Sequence, residues 1–227
     1  MLDNPRIRFI GNVDYGVDVK LEELRPFYDA TIFATGADKD RELSIPGIDL
    51  PGSYGAADFV SWYDGHPDVS REWPLTATKV AVIGAGNVAV DVARVLAKTA
   101  DELLETEIPD NVYQGLLASP VTDVHLFSRR GPAQVKFTPM ELRELDHSPN
   151  VDVIVHPEAS SSTRAARGDA QDAARQDVRR HPPELGRPRP ARGPQARLHL
   201  HFLQAPAEIL GSPETGVTGA ADRDPAA

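Results

Sequence analysis

Three things are missing from this sequence of 227 residues: cysteine, long apolar runs and an excess of positive charge. With zero cysteines, the chain has no disulfide framework, no thiolate metal site and no cysteine nucleophile. No apolar run approaches the roughly 18 to 20 residues that a membrane helix needs, and the first residues lack a charged segment leading into an apolar one, so we expect neither a membrane span nor Sec export. A net charge of −10 disfavours nonspecific nucleic-acid binding, which needs surplus Lys and Arg to neutralise phosphates. The lack of disulfides is consistent with a cytoplasmic location, which we expect.

The composition of the chain changes sharply after Glu158. Residues 159–196 contain eight arginines and four acidic residues, and only Val178 and Leu185 are large and apolar. So little apolar surface does not offset the entropy of ordering a chain, and we predict that this segment is disordered or poorly packed. A strand, a turn marked by proline and a second strand are predicted over 197–211, followed by a flexible tail over 212–227.

The first 78 residues contain short elements separated by turn residues. Strands are predicted at 6–10 and 28–34, with one helical turn at 21–24 between them. The segment 37–78 is rich in Gly, Pro and Asp, and it has a helical pattern over 56–63. We interpret it as a connector that crosses between domains.

A dinucleotide-binding turn is predicted near the start of a new domain at 79–158. A short apolar run, Val-Ala-Val-Ile, stops at Gly-Ala-Gly-Asn-Val-Ala, after which 90–98 has helical spacing without Gly or Pro. In this strand, turn and helix, Gly84 permits the tight turn, Gly86 lets the backbone approach a pyrophosphate, and Ala89 allows close packing of helix on strand. The amides at the start of the helix then face an anion. A glycine turn can also be purely structural, but the flanking strand and helix favour nucleotide binding.

An arginine pair after the next predicted strand indicates which nucleotide binds. The strand at 122–127 is followed by Ser128, Arg129, Arg130 and Gly131, at the position where an NAD site places an acid on the ribose 2′-hydroxyl. Two guanidinium groups there can neutralise and bond a 2′-phosphate, so the pattern favours NADP(H). The alternative is that both are solvated surface charges. Their position in the nucleotide fold favours the ligand role.

Other polar and aromatic residues carry weaker signals. Thr138, Pro139 and Glu141 have the pattern of a capping box, in which Glu141 either only caps the helix or also bonds a ribose or an arginine. A third strand is predicted at 151–155. No metal site is predicted. Five ring-bearing side chains are interpreted as structural rather than as ligands or stacking platforms: His66, His125, His147, Trp62 and Tyr63.

Five motifs occur in order along the chain. They are Ala-Thr-Gly-Ala at 34–37 with the Asp-Arg and Ile-Pro-Gly that follow, Phe-Val-Ser-Trp-Tyr-Asp-Gly-His-Pro at 59–67, Gly-Asn-Val-Ala-Val-Asp-Val-Ala-Arg at 86–94, Arg-Arg-Gly-Pro at 129–132, and Phe-Thr-Pro-Met-Glu-Leu at 137–142. One such match would be weak, but five in order are specific. Residues 1–158 resemble the central part of the adrenodoxin reductase type of ferredoxin-NADP(+) reductase, as found in animal mitochondria and actinobacteria.

The resemblance implies an α/β fold, with a Rossmann-like NAD(P)-binding domain and part of a second, FAD-binding Rossmann-like domain over 1–36. It implies an enzyme that passes a hydride from NADPH to FAD and then single electrons to a ferredoxin-like iron-sulfur protein. The residues expected to bind NADP(H), from the turn and from matching positions together, are Arg41, Gly84, Gly86, Asn87, Val88, Ala89, Val90, Arg129, Arg130 and Glu141. Asp91 matches an acid that in the family lies close to the nicotinamide and the flavin, which implies a catalytic role in handling a proton. The alternative is a helix residue that bonds Arg94 or the neighbouring backbone.

The sequence also departs from this family. The family opens with an FAD-binding glycine fingerprint and has a second FAD-contacting segment near its end; neither is present here, so we expect an incomplete flavin site. The Ala, Arg and Pro bias of 159–196 is typical of GC-rich coding sequence read out of frame, and we hypothesise a truncated, locally frame-shifted copy.

Two other functions stay open. One is a noncatalytic chain that binds nucleotide weakly or has no stable fold. The other is a different flavoprotein with two dinucleotide sites, of the glutamate-synthase or disulfide-reductase type. The disulfide reductases need a redox cysteine pair, which this chain lacks.

Overall fold

The computed structural model describes residues 4–36, 40–41, 43–131, 148–156 and 196–222. These residues form two compact units, divided between positions 38 and 39. The segment predicted to be disordered, 159–196, lies outside the described residues except for Ala196, which begins a strand. No helix in the described ranges is both long and apolar enough to cross a membrane.

The first unit contains one short helix. Helix α1 spans Leu21–Leu24, and the carboxylate of Glu23 accepts a hydrogen bond of 2.8 Å from the backbone amide of Lys20. This contact satisfies one of the amides left free at the start of a helix. The predicted helical turn is therefore confirmed.

The two strands predicted in the first unit are not formed. Residues 6–10 and 28–34 form no strand, and their apolar side chains are exposed to solvent. Ile32, for example, is 88% exposed. A strand needs a hydrogen-bonded neighbour to bury one of its faces. The described part of this unit offers only an isolated bridge between Tyr15 and Val19, so the strand prediction is wrong here.

Four parallel strands form the sheet of the second unit. They are β1 (Lys79–Ile83), β2 (Asp123–Ser128), β3 (Val151–Val155) and β4 (Ala196–Phe202). Their spatial order is β1-β2-β4-β3. Val124 and Leu126 on β2, and Leu198 and Leu200 on β4, are at most 3% exposed. Because side chains alternate between the faces of a strand, the odd-numbered residues of β2 and β4 share the opposite face.

Four further helices occur in the described part of the second unit. They are α2 (Ala56–Tyr63), α3 (Asn87–Ala97), α4 (Ala100–Leu103) and α5 (Asp110–Leu117). Helix α3 packs on β1, β2 and β4 and buries Val90, Ala93 and Ala97. Spacings of three and four residues place these side chains on one helix face.

A capping box separates α3 from α4. The Thr99 hydroxyl accepts a hydrogen bond of 3.3 Å from the Glu102 amide, and the Glu102 carboxylate accepts one of 2.9 Å from the Thr99 amide. Both contacts satisfy amides at the start of α4. Burial alone would raise the pKa of Glu102, but the nearby Asn150 side chain and the hydrogen bonds from Thr99 hold it below its ordinary value.

Helix α2 contributes an aromatic cluster to the core. Trp62 and Phe59 are 2% and 5% exposed, and their ring centroids lie 6.0 and 5.4 Å from that of Trp73. The indole nitrogen of Trp62 donates a hydrogen bond of 3.1 Å to the carbonyl of Arg71, so its one polar group is satisfied. Trp62 is a packing residue, as predicted.

The last strands differ from the hairpin that the sequence predicts. Strand β5 (Pro206–Ser212) pairs with β6 (Gly216–Asp222), which lies in the segment predicted as a flexible tail. The two strands predicted over 197–211 are confirmed, but their pairing with each other as a hairpin is wrong, because β4 lies inside the sheet, hydrogen-bonded to β2 on one side and β3 on the other. Leu198 and Leu200 are buried only in that central position.

Backbone contacts hold β6 in place. Gly216 lies at φ 69° in the turn after β5, a conformation that glycine adopts at little cost. The amides of Val217 and Ile209 donate hydrogen bonds of 2.8 Å to the carbonyls of Pro51 and Pro46. The prediction of a flexible tail is therefore wrong for 212–222. Because β6 is rich in small residues, its apolar pattern is weak.

Candidate functional site

The turn between β1 and α3 has the backbone that its glycine spacing predicts. Gly84 lies at φ 140°, which residues with a side chain rarely adopt, and its amide donates a hydrogen bond of 2.9 Å to the carbonyl of Phe127 on β2. Gly86 is the N-cap of α3, at φ −100° and ψ 174°. A Cβ added to Gly86 would meet no heavy atom within 4 Å, whereas one added to Gly84 would lie 3.3 Å from the Ala89 Cβ. Gly86 therefore leaves open space at a helix N-terminus, where an anion can approach the backbone.

The first residues of α3 divide between an exposed pair and a packed pair. Asn87 and Val88 are exposed, while Ala89 is partly buried and Val90 is a core residue. The amide of Val90 already donates a hydrogen bond of 3.2 Å to the carbonyl of Gly86. The backbone amides of Asn87, Val88 and Ala89, which come before the first helical hydrogen bond, are the donors that a ligand at this end can use. Val90 contributes packing rather than a donor.

Arg129 and Arg130 lie at the same edge of the sheet as this turn. Strands β1 and β2 are parallel and Ile83 is paired with Phe127, so their carboxyl ends emerge side by side. Both arginines are exposed, and neither forms an ion pair with a carboxylate in the described ranges. The hydroxyl of Ser128 donates a hydrogen bond of 2.9 Å to the Arg130 carbonyl and accepts one of 3.2 Å from the Arg130 amide. The backbone that carries the pair is thereby fixed, while the guanidinium groups stay available for an anion.

Asp91 forms a contact within its own helix. Its carboxylate lies 3.1 Å from Nη2 of Arg94 and accepts a second, longer hydrogen bond from Nε. The Asp91 side chain is 53% exposed. This is the arrangement that the sequence offers as the alternative to a catalytic role, and the catalytic role of Asp91 stays a prediction.

Arg41 and Glu141 are the two other predicted ligands. Arg41 is exposed, and the described residues supply no hydrogen bond or ion pair that connects it to Gly84 or Arg129. Its neighbour Asp40 accepts a hydrogen bond of 2.8 Å from the Ala57 amide at the start of α2. Glu141 lies outside the described residues, together with its predicted capping box. The roles of Arg41 and Glu141 stay predictions.

One face of the sheet collects polar residues that sequence reasoning missed. We call it the histidine face, and its members are Asp123, His125, His156, His199 and His201. His125 is paired in register with His199 across β2 and β4. His125 Nδ1 lies 3.0 Å from His201 Nε2, His156 Nε2 lies 3.0 Å from His199 Nδ1, and His199 Nε2 lies 2.9 Å from Asp123 Oδ1. The sequence signal for this face is the alternation Asp-Val-His at 123–125 and His-Leu-His at 199–201. It was missed because the sequence does not reveal that these two strands are paired.

Burial and neighbouring groups shift the pKa values of three side chains on the histidine face: Asp123, His125 and His201. The hydrogen bond from His199 holds the pKa of Asp123 well below its usual range, against the effect of burial, and Arg197 contributes through contacts of 2.8 and 2.9 Å. Burial, with the neighbouring imidazoles, lowers the pKa of His201 to about 4. Burial is also the largest cause that lowers the pKa of His125. Neutral imidazoles keep a nitrogen lone pair, which can accept a hydrogen bond or bind a metal.

Comparison with known proteins finds relatives along most of the chain. The family model described as pyridine nucleotide-disulphide oxidoreductase matches residues 11–172. NADPH-ferredoxin reductase FprA of Mycobacterium leprae is 42% identical over 214 residues, which cover 92% of this chain and 46% of that protein. The mitochondrial NADPH:adrenodoxin oxidoreductase of Arabidopsis thaliana is 37% identical over 218 residues, which cover 92% of this chain and 44% of that protein. The chain spans about half the length of the curated relatives it matches.

A solved structure resembles the chain over nearly its whole length. It is that of Mycobacterium tuberculosis FprA in complex with NADPH, with a TM-score of 0.72 and 39% sequence identity, covering 99% of this chain and 52% of that chain. The resemblance to the adrenodoxin reductase type of reductase is confirmed. The predicted α/β, Rossmann-like fold is confirmed as well.

Proposed function

This chain belongs to the pyridine nucleotide-disulphide oxidoreductase family, and from that membership we propose that it binds NADP(H) as part of an FAD-dependent NADPH-ferredoxin reductase. When bound, FAD supplies the chemistry that accepts a hydride from NADPH and releases single electrons to a ferredoxin-type iron-sulfur protein. The relatives named NADPH-ferredoxin reductase and NADPH:adrenodoxin oxidoreductase support this assignment. A cytoplasmic location belongs to the same proposal and rests on the zero cysteines.

The observation that carries NADP(H) binding is the open N-terminus of α3 beside Arg129 and Arg130, which form no ion pair with the carboxylates that the structure describes. The space in front of Gly86 and the three amides that follow it fit a pyrophosphate. Arg129 and Arg130, one strand away, fit a 2′-phosphate, because two guanidinium groups neutralise its charge and bond its oxygens. An unphosphorylated ribose would leave both arginines without an anion. The chain's residues thus bind and orient NADP(H).

The flavin has less support from this chain. The described residues of the first unit form no strand, glycine turn and helix of the kind that holds a dinucleotide, and they do not fit FAD by themselves. The assignment of residues 1–36 to part of an FAD-binding domain therefore rests on the family resemblance alone. The same observation favours a second candidate function, a noncatalytic chain that binds NADP(H) without turnover.

Thermal melts and a visible spectrum distinguish these functions. The purified chain is melted alone and with NADPH, NADH or FAD, since a ligand that binds the native state raises the melting temperature. We expect stabilisation by NADPH in either case. Yellow colour from bound flavin supports the reductase, and stabilisation by NADPH without colour supports the noncatalytic chain.

The 2′-phosphate assignment has its own test. In the double variant Arg129→Ala with Arg130→Ala, we expect the affinity for NADPH to fall at least about tenfold more than the affinity for NADH, which is about 1.4 kcal/mol. The matched control is Arg6→Ala with Arg8→Ala, which removes the same charge from two exposed positions. Equal losses for NADPH and NADH in the first variant would contradict selection for the 2′-phosphate.

A further inference from the structure

The histidine face lies on the side of the sheet opposite α3, away from the proposed pyrophosphate position. Its strands are parallel, and register pairs Asp123 with Arg197 and His125 with His199. Residues two apart on one strand share a face, so β2 presents Asp123 and His125 in succession, and β4 presents Arg197, His199 and His201. The result is a group of imidazole and carboxylate donors on rigid, central strands. Asp123 is only 4% exposed, and a buried carboxylate needs a compensating charge.

Three of these side chains converge closely enough for a single ion. Asp123, His125 and His199 each offer one ligand atom, and the three atoms lie within 4.8 Å of one another. A tetrahedral zinc ion with ligand bonds of about 2.1 Å holds its ligand atoms roughly 3.4 Å apart. The widest pair therefore needs to close by no more than about 1.4 Å, while His199 Nε2 and Asp123 Oδ1, now 2.9 Å apart, need to open by about 0.5 Å. The rings of His125 and His199 are now nearly parallel, with centroids 4.4 Å apart, so each turns about its Cβ–Cγ bond to aim its lone pair.

We propose that Asp123, His125 and His199 form a binding site for a divalent transition metal of the zinc class. Two imidazoles and one carboxylate are ligands that zinc takes, and three protein ligands leave a fourth position for water or a substrate group. His199 binds through Nε2, the atom that already faces Asp123 Oδ1 at 2.9 Å. His125 binds through Nε2, because its Nδ1 is occupied by His201.

The two remaining histidines act as positioning residues for the ligands. In the absence of metal the His199 proton lies on Nε2, facing Asp123, so metal binding at Nε2 requires that proton to leave or to move to Nδ1. In the metal-bound tautomers, His199 Nδ1 donates to His156 Nε2 and His125 Nδ1 donates to His201 Nε2, across contacts of 3.0 Å in the present structure. A metal-bound histidine commonly donates its other ring N–H in this way, which fixes its tautomer and its ring plane. Both ligand histidines thus have the outer partner that a metal site requires.

Arg197 competes with the metal for the Asp123 carboxylate and thereby lowers the metal affinity of the site. Its guanidinium contacts both carboxylate oxygens of Asp123, Nε to Oδ1 at 2.8 Å and Nη2 to Oδ2 at 2.9 Å. A metal on Oδ1 displaces the first contact and leaves the second. Because the Arg197 side chain is 53% exposed, its guanidinium can move toward solvent, where water solvates the charge that no longer contacts Oδ1. An Arg197→Gln variant is expected to bind the metal more tightly, since a competing charge is removed.

The test is a zinc titration of the full chain against a coloured chelator. One zinc per chain is expected to resist the chelator. His125→Gln and His199→Gln are each expected to lower the affinity by more than about 100-fold, and His201→Gln by about 10- to 100-fold, as for outer partners of metal ligands. The matched control is His66→Gln, an exposed histidine outside the face, which should bind zinc like the parent chain. Unchanged affinity in both ligand variants would overturn the site.

A second measurement keeps the test valid if a ligand variant fails to fold. Co²⁺ is added to the parent chain, and its visible spectrum is recorded. Intense bands typical of tetrahedral coordination support the site, and the weak spectrum of hydrated Co²⁺ overturns it. Neither readout depends on NADP(H), so the metal site and the proposed nucleotide site stand or fall separately.

Discussion

Replacing Gly86 by alanine separates the fold of the nucleotide turn from its binding role. The backbone of Gly86 is at φ −100°, which alanine adopts freely, and an added Cβ meets no atom within 4 Å. Alanine is a poorer N-cap than glycine, but it also lowers the entropy of the unfolded chain, and the two effects of about 0.5 to 1 kcal/mol oppose each other. We therefore expect the free energy of unfolding of Gly86→Ala to stay within about 0.5 kcal/mol of the parent value.

The same methyl group stands where the pyrophosphate is expected to approach. We expect NADPH to bind at least about tenfold more weakly, which is 1.4 kcal/mol. With NADPH at 100 times the dissociation constant of the parent chain, the parent gains about 2.7 kcal/mol and the variant about 1.4 kcal/mol. For a chain of this size, each kcal/mol of added stability raises the melting temperature by roughly 2 to 4 °C. A melt should therefore show a shift of about 5 to 11 °C for the parent and about half of that for Gly86→Ala.

Gly84→Ala is the matched comparison. At φ 140° a side chain is strained, so the variant is expected to lose about 1 to 3 kcal/mol before any ligand is added. Thermal melts with and without NADPH measure both variants. The reasoning is refuted if Gly86→Ala keeps the full NADPH shift, because the pyrophosphate then does not approach the backbone at that position. If Gly86→Ala without ligand loses as much free energy of unfolding as Gly84→Ala does, the space in front of Gly86 is not open.

Three further predictions concern stability. Leu198→Ala removes a fully buried side chain and should cost about 2 to 5 kcal/mol in urea unfolding, whereas Leu104→Ala, at a side chain 57% exposed, should change it by less than about 0.5 kcal/mol. The lowered pKa of Glu102 means that its contribution to stability is present above the unfolded pKa of about 4.3 and is lost as the pH falls through the folded pKa. Glu102→Gln, which keeps the side-chain acceptor of the capping box, should be less stable than the parent at pH 7 and should lose less stability on acidification; equal losses of stability in the two proteins on acidification would contradict this. Gly216→Ala, at φ 69° with its added Cβ 2.6 Å from the Pro51 carbonyl oxygen, should lose about 1 to 3 kcal/mol of stability in a melt. Gly219→Ala, whose nearest contact is 3.8 Å, should lose less; equal losses would contradict the positive φ of Gly216 and its close approach to Pro51.

Local patterns predicted the parts of the fold whose partners are near in the chain. Helix α2 is found where the helical pattern was read, and β1 and α3 begin within a few residues of their predicted starts. The turn between them needs only glycine at two positions and an alanine that fits against the first of these, and all three are visible in six residues. The position of the arginine pair is visible in the sequence as well, because the pair comes directly after the next predicted strand.

Long-range pairing explains the errors. The segment at 28–34 has the apolar content of a strand, but a strand forms only with a neighbour to bond, and its described unit provides none. Strand β4 was read correctly as a strand, yet its neighbours are β2 and β3, more than 40 residues away in sequence. Strand β6 is held by backbone hydrogen bonds to β5 and to Pro51, which leave little trace in side-chain pattern.

The sequence by itself determined the glycine turn, the arginine pair and the family, because each depends on residue types at short, fixed spacings. Only the tertiary structure decided that Asp123, His125 and His199 meet on one face, that the Val90 side chain lies in the core, and that Asp91 bonds Arg94. The physical reason is that a side chain's neighbours depend on strand order and register. Two alternating His and Asp patterns 76 residues apart become one cluster only when β2 and β4 pair in parallel with His125 opposite His199.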